Sequence, residues 1–424
     1  MRVLLISANT EKINMPALPM GLGSVAAALG AAGHAVRFLD LMGTGEWQSP
    51  LREALAEAAF EVIGISIRNI DDQVSLSPRF LLEPAREVVA FCRAHARAPI
   101  VLGGAGYSIF PQAILDYTGA EMGIQGEGEA AAVMLLERLG SRAPLEDVPG
   151  LVVRGKGRQT PPDGLRDLDR FALPGPELFD PRLARDPDYY LPIQTRRGCP
   201  LNCSYCSTST IEGRLIRKRS PAAVVDALRR WRRAGYSRVF FVDNIFNLPT
   251  SYAQELCQRM TEAHLDIQWR AILYPGGVTA SLVRSMARAG CRDVSLGFES
   301  GARQILDRMH KRFSPDDIQR ASRLLADAGI GCMGFLLLGG PGETRDTVLE
   351  SLTFADRLKL DALKLTVGLR IYPYTELARI AVREGVIAPH ADLLSPTFYM
   401  VRGLEDWLRE TVGEWVAQHP HWTI

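Results

Sequence analysis

No apolar run in this chain reaches the length of about 18 residues that a membrane-spanning helix needs, so helical membrane passage is excluded. The opening segment, MRVLLISANTEK, is apolar for only about five residues and lacks a cleavage pattern; it reads as a first strand, not a signal peptide. An excess of one charge is also missing. Lys and Arg number 49 against 48 Asp and Glu, and a net charge of +1 gives no global pull toward nucleic acid or membrane. The seven cysteines are odd in number, and Cys92, Cys257, Cys291 and Cys332 are scattered. That excludes a disulfide framework and makes a reducing cytoplasm the expected compartment. No short-period repeat or low-complexity segment is present. What remains is an ordinary globular composition, 47% apolar and 23% charged, over 424 residues, enough for two or three domains.

The other three cysteines are concentrated. Cys199, Cys203 and Cys206 sit in RRGCPLNCSYC, a C-x3-C-x2-C spacing with Tyr205 just before the last thiol. Zinc sites pair their ligands as C-x2-C…C-x2-C, and no second pair exists here. The spacing also differs from the C-x2-C-x2-C run of bacterial ferredoxins. Three thiolates this close suit three irons of a [4Fe–4S] cubane. With no fourth cysteine nearby, one iron is left open, and an open iron is a place for chemistry. Of the scattered cysteines, Cys92, Cys257 and Cys291 fall in or beside helical patterns and read as small core hydrophobes, while Cys332 opens an apolar strand.

The first 140 residues alternate strand and helix. MRVLLISAN, AVRFLDL, EVIGISIRN, PIVLGGAGYS and EMGIQGEGE read as five strands, separated by segments with apolar residues at helical spacing. This predicts a five-stranded parallel, Rossmann-like (flavodoxin-like) α/β domain with ligands at the C-terminal strand edge. Residues 141–190 carry prolines at 144, 149, 161, 162, 174, 176, 181 and 187, and read as a linker that wraps without folding on its own. From 191 to 385 the alternation resumes, with strands at YYLPIQTRRGC, RVFFVDNIF, IQWRAILY, DVSLGFES, GCMGFLLLGG and LKLTVGLRIYP. Ser220 and Pro221 mark a helix start, and Ala-Gly at 234–235, 289–290 and 328–329 marks three helix ends. Six β/α units predict a partial (β/α)6 TIM-type barrel. Residues 386–424 form a short extension with one amphipathic helix, LEDWLRETVGEWVAQH.

A cysteine triplet at the first strand end of a six-unit β/α barrel resembles the radical SAM superfamily, over roughly residues 190–385. The resemblance implies that Cys199, Cys203 and Cys206 ligate the cluster and that its open iron chelates S-adenosylmethionine. One electron then cleaves the sulfonium bond, giving a 5′-deoxyadenosyl radical that abstracts hydrogen from carbon. Carried over segment by segment, Asp243 and Asn244 in VDNIFN, Arg270, and Glu299 and Ser300 in SLGFESG become S-adenosylmethionine contacts. Gly339 in GFLLLGGPGET flanks adenine, and IYPYT lies at the barrel mouth. Asp243 and Asn244 also fit a helix cap, Glu299 an ion pair, and the glycines a strand–helix turn.

A parallel α/β domain before such a barrel resembles the cobalamin-dependent class of these enzymes. The implied cobalamin contacts are Gly21 in the first helix, Gly103, Gly104, Gly106 and Ser108 in LGGAGYS, and Gly126 and Glu127 in QGEGE. The D-x-H-x-x-G run that supplies a histidine below cobalt is missing; SIRNIDDQ stands in its place, so Arg68 and Asn69 are expected near the lower face. An ion pair to Asp71 or Asp72 is the plainer reading of Arg68. The resemblance implies C-methylation of an unactivated carbon with methylcobalamin as donor. Cyclisation or ring rearrangement without methyl transfer is the enzymatic alternative, and a non-catalytic cobalamin and iron–sulfur sensor or electron carrier is the other. The expected substrate is a small or carrier-bound molecule, and the expected partner a low-potential reductant such as flavodoxin or ferredoxin. Arg214, Arg217, Lys218, Arg219, Arg229, Arg230, Arg232 and Arg233 form a basic stretch that reads as a solvated face or as a docking patch for that acidic reductant.

Overall fold

The computed structural model describes residues 1–12, 18–42, 45–158, 160–186 and 188–424; Pro187 of the linker lies outside them. The chain divides into two compact units, one of residues 1–72, 79–190 and 208–219, the other of 73–78, 191–207 and 220–424.

In the first unit, β1 (Arg2–Ser7), β2 (Ala35–Asp40), β3 (Val62–Ser66), β4 (Ile100–Gly103) and β5 (Met122–Ile124) pair in parallel in the order β2-β1-β3-β4-β5. The apolar runs are what a sheet covered on both faces requires. Val3, Leu5, Val62, Val101 and Ile124 pack with Leu22, Ala26, Leu29, Leu135 and Leu136 of the helices α1 (Met20–Ala31) and α2 (Gly128–Ser141). The sheet has two further strands, Leu151–Val153 and Gly157–Arg158, added antiparallel beyond β5. The linker therefore does more than wrap. Leu151 and Val152 are buried, a run too short to stand out among prolines. The fourth predicted strand also stops early: Gly104, at φ 102°, turns the chain into a short helix, Ala105–Ile109.

In the second unit six strands follow one another in parallel: Leu191–Ile193, Arg238–Phe241, Gln268–Leu273, Cys291–Glu299, Gly331–Leu338 and Ala362–Val367. Each pairs with the next, and Trp422–Thr423 adds a seventh beside the sixth. The helix signals act as read. Ser220 accepts from the Ala223 amide and Pro221 opens the helix. Gly235, Gly290 and Gly329 all adopt positive φ behind a helix end. At Gly290 a Cβ would lie 2.2 Å from the Ile267 carbonyl, so close approach demands glycine as much as conformation does. Phe241, Phe246 and Trp269 pack together, and the Trp269 indole donates to Ala289 O at 2.8 Å. The C-terminal helix, Glu405–Gln418, is followed by a stack of Trp415, His419 and Trp422 at the edge strand.

Candidate active site

The three cysteines lie in the loop after the first strand of the second unit, all unoxidised and half-buried. Among the described residues no three His, Cys, Asp or Glu side chains converge on a single ion. Burial pushes the Cys203 thiol up, and the Lys311 ammonium pulls it back. Lys311 is buried, donating to the Tyr205 hydroxyl at 2.9 Å and to Glu299 Oε1 at 3.2 Å. The Tyr205 hydroxyl in turn donates to the same carboxylate oxygen at 2.9 Å. Burial works against the ammonium, yet Glu299, Tyr205 and Cys203 outweigh it and hold Lys311 well above its ordinary pKa. Glu299 thus does have an ion-pair partner. Its backbone, at φ 65°, occupies a left-handed region unusual for a non-glycine residue, at an irregularity in the strand pairing.

Asp243 follows the second strand, and its carboxylate is engaged within the protein. Its Oδ1 accepts from the amides of Thr195 (2.6 Å) and Arg196 (3.0 Å); its Oδ2 accepts from the Thr195 hydroxyl (2.6 Å) and meets Arg196 at 3.2 Å. The carboxylate is fully buried. It fixes the end of the first strand, four residues before Cys199. Arg196, unremarked in the sequence, also donates to Phe246 O and Leu248 O and lies over the Tyr252 ring. Asn247, equally unremarked, ties the second strand's exit to Tyr274 and Gly276. Asn244 is half-buried beside it, and Arg270, on the third strand, stacks on Phe240.

Ser300 is also internal: fully buried, it shares a hydrogen bond with Ser351 and accepts from the Ala302 amide. The Gly339 amide is held by Glu343 and its carbonyl accepts from Val401 N, while a Cβ there would lie 2.4 Å from Met400. Glu343 also takes the Gly340 amide at 3.0 Å, but its Oε1 has no hydrogen-bond partner. Burial raises this carboxyl from its ordinary 4.5 to about 7, against the pull of the two amides. Between those values the folded protein keeps a proton that the unfolded chain has released. Stability therefore falls as pH rises through the window, by on the order of 3 kcal/mol. Glu343→Gln is expected to abolish that fall, read as urea midpoints at about pH 5 and about pH 8.

In the first unit, Arg68 and Asn69 line a hollow at the C-terminal ends of β1 and β3, together with Ala8, Asn9, Thr10 and Glu11. Arg68 still reaches solvent, yet the protein crowded around it draws its pKa downward. Among the described residues Arg68 makes no ion pair with Asp71 or Asp72; the nearby pair is Arg79 with Glu11. The unit's two imidazoles are engaged elsewhere: His34 lies 3.3 Å from the N-terminal amine and His95 2.8 Å from Phe91 O. The hollow presents a cation and an amide and no imidazole. The glycine loop serves the scaffold. A Cβ at Gly104 would meet Ile67 O at 2.5 Å, and one at Gly106 would meet Arg68 O at 3.0 Å. Ser108 is fully buried, donating to Gly104 O and accepting from the Gly126 amide. These small residues allow close approach of backbone to backbone at Gly104 and Gly106. Gly103 and Gly21 keep open surroundings. Glu127 is closed off: its carboxylate pairs with Arg217 and accepts from the Leu165 amide at 2.9 Å.

That pairing takes part of the basic stretch out of the surface, while Arg214, Lys218, Arg229, Arg230 and Arg233 stay exposed. Arg217 is buried on Glu127, and Arg219 is buried on the carbonyls of Leu168 and Phe171 at 2.6 Å. Arg229 and Arg232 pair with Asp226 and Asp266. The four scattered cysteines are all buried, and burial pushes the thiols of Cys92, Cys257 and Cys332 up to about 12, so they are inert.

Residues 193–355 match the model of the radical SAM superfamily, and residues 6–136 that of the B12 binding domain. A tryptophan 2-C-methyltransferase of Streptomyces laurentii is 26% identical over 441 residues, covering 88% of this chain and 73% of the relative. A cytidylyl-2-hydroxyethylphosphonate methyltransferase of Streptomyces wedmorensis is 26% identical, covering 94% and 85%. The structure of the radical S-adenosylmethionine methyltransferase TsrM from Kitasatospora setae, with cobalamin and a [4Fe–4S] cluster bound, superimposes with a TM-score of 0.86 at 23% identity, covering 100% of this chain and 90% of that one.

Proposed function

This chain is a cobalamin-dependent radical SAM enzyme, and on that premise we propose that it transfers a methyl group to an unactivated carbon of a small or carrier-bound substrate. The observation that carries the reading is the reach of the match: two relatives named as methyltransferases align with 88% and 94% of the chain. When bound, the [4Fe–4S] cluster, S-adenosylmethionine and cobalamin supply the electron, the carbon radical and the methyl group.

The chain's own residues hold and position these groups. Cys199, Cys203 and Cys206 would ligate the cluster. Asp243 and Arg196 fix the strand from which the cysteine loop departs. Lys311 places one positive charge behind Cys203, held by Glu299 and Tyr205. Glu343 orients the amides of Gly339 and Gly340 at the fifth strand's exit. Asn244, Arg270 and Glu299 are the S-adenosylmethionine contacts we retain. Arg68 and Asn69, at the C-terminal strand edge, would help hold the cobalamin, offering it a cation and an amide and no imidazole. Gly21, Gly103 and Gly126 line the cobalamin edge of the first unit.

The test is anaerobic reconstitution with iron, sulfide and hydroxocobalamin, followed by turnover with methyl-deuterated S-adenosylmethionine and a low-potential reductant. Label on cobalamin and in a product, alongside 5′-deoxyadenosine, is the expected result. Formation of 5′-deoxyadenosine with no label ever on cobalt defeats methyl transfer and favours cyclisation or rearrangement. The same sample reports on Arg68: the visible spectrum is expected to be that of cobalamin with no nitrogen below cobalt, and a histidine-ligated spectrum overturns its assignment.

A further inference from the structure

A cluster that must accept electrons needs a surface on which the donor rests, and two of the arginines just after the cysteines, Arg217 and Arg219, are buried inside the protein. We propose that the reductant docks on the outer edge of the cysteine loop itself, on a face built by Asn202, Arg308, His310, Arg312 and Tyr374. The proposal rests on the cluster assigned above.

Two chain segments flank the loop. From one side, Met309 O accepts from the Ser204 amide at 3.2 Å, and the His310 Nδ1 lies 3.0 Å from Asn202 O. From the other, the Leu377 amide donates to Ser204 O at 2.8 Å, at the start of the helix that Thr375 caps. Ser204 is buried between them, while Pro200, Asn202, Arg308, His310 and Arg312 are exposed. Tyr374 is 81% exposed, far beyond what a ring of that size gains by packing.

Both flanks carry strain. His310 (φ 59°) and Tyr374 (φ 64°) adopt the left-handed backbone, at a cost of about 1–3 kcal/mol each. Neither is a glycine, and neither side chain is needed by a core. His310 closes the helix Arg303–Arg308, with the Lys311 amide donating to Leu306 O at 2.9 Å, and so sets one edge of the exposed loop that Tyr374 flanks on the other side.

The charge selects the partner. On the first flank Asp307 is paired with Arg303, and Lys311 is balanced by Glu299, which leaves Arg308 and Arg312 outside any ion pair among the described residues. On the second, Glu376 is shared by Arg379 and Arg383. A cationic rim with a protruding aromatic ring suits a small acidic one-electron carrier, and flavodoxin hydroquinone is the probe that represents it. One electron leaves the carrier, oxidising it by one step, and reduces the cluster from the 2+ to the 1+ state; no bond is made or broken.

The experiment uses the reconstituted full-length enzyme and follows cluster reduction by stopped-flow absorbance. Arg308→Glu/Arg312→Glu is expected to slow reduction by flavodoxin hydroquinone at least tenfold at low salt, with loss of the salt dependence, while reduction by dithionite changes less than threefold. Tyr374→Gly is expected to raise the flavodoxin concentration needed for half-maximal rate and to melt no lower than wild type, since it relieves strain. Arg229→Glu/Arg230→Glu on the helix is expected to reduce at the wild-type rate. Unchanged flavodoxin rates in the first two variants, or a slowed rate in the helix variant alone, overturn the proposal. A wild-type protein that takes up no iron overturns the cluster assignment itself, and is recognised before any kinetics by metal analysis.

Discussion

Asp243→Ala is expected to destabilise the second unit by about 3–5 kcal/mol, the cost of leaving a buried charge without its partner. The stranded group is Arg196, which keeps two carbonyls and an aromatic face but loses its anion. Two amides and one hydroxyl around Thr195 lose their acceptor in the same step. Asp243→Asn should retain some of these bonds and lose less. Urea titration reads the effect, and S-adenosylmethionine binding by the folded fraction separates it from a ligand role. A variant of wild-type stability that no longer binds S-adenosylmethionine would restore Asp243 to the ligand shell.

Lys311→Met is expected to have two effects. Glu299, 9% exposed, is left without its cation, which costs about 3–5 kcal/mol. The reconstituted cluster also loses a positive charge beside one of its thiolates, so its reduction potential moves lower and it accepts an electron less readily. Lys311→Met/Glu299→Gln removes both charges and should recover much of the stability. EPR-monitored redox titration and thermal melting measure the two effects separately. A single variant with unchanged potential and unchanged melting would remove Lys311 from any role at the cluster.

What could be read from the residues was local. Fixed spacing exposed the cysteine triplet, and alternation of apolar period exposed five strands of the first sheet and six of the second. Helix ends at Gly235, Gly290 and Gly329 were legible because backbone conformation demands that residue type. Pairing over distance was not legible. Asp243 and Thr195 are 48 positions apart, Tyr205 and Lys311 106, and Glu127 and Arg217 90. A sequence names a carboxylate without naming the donors that occupy it, so residues that brace the site read as residues that touch its ligands. The short strands at Leu151–Val153 and Trp422–Thr423 were missed because two or three residues show no period.

The division of the chain has a consequence for synthesis. Residues 73–78 leave the first unit for the second, and 208–219 return from the second to the first. No single cut yields both units whole, so neither is a cassette that can be expressed or exchanged by trimming at one boundary. On the ribosome the first unit lacks its last piece, including the arginine that neutralises Glu127, until residue 219 has emerged. By then the cysteine loop has already been made. The folding of the first unit and the appearance of the iron ligands are therefore bound into one order of events, and a chain stalled before that point would expose a buried carboxylate with nothing to meet it.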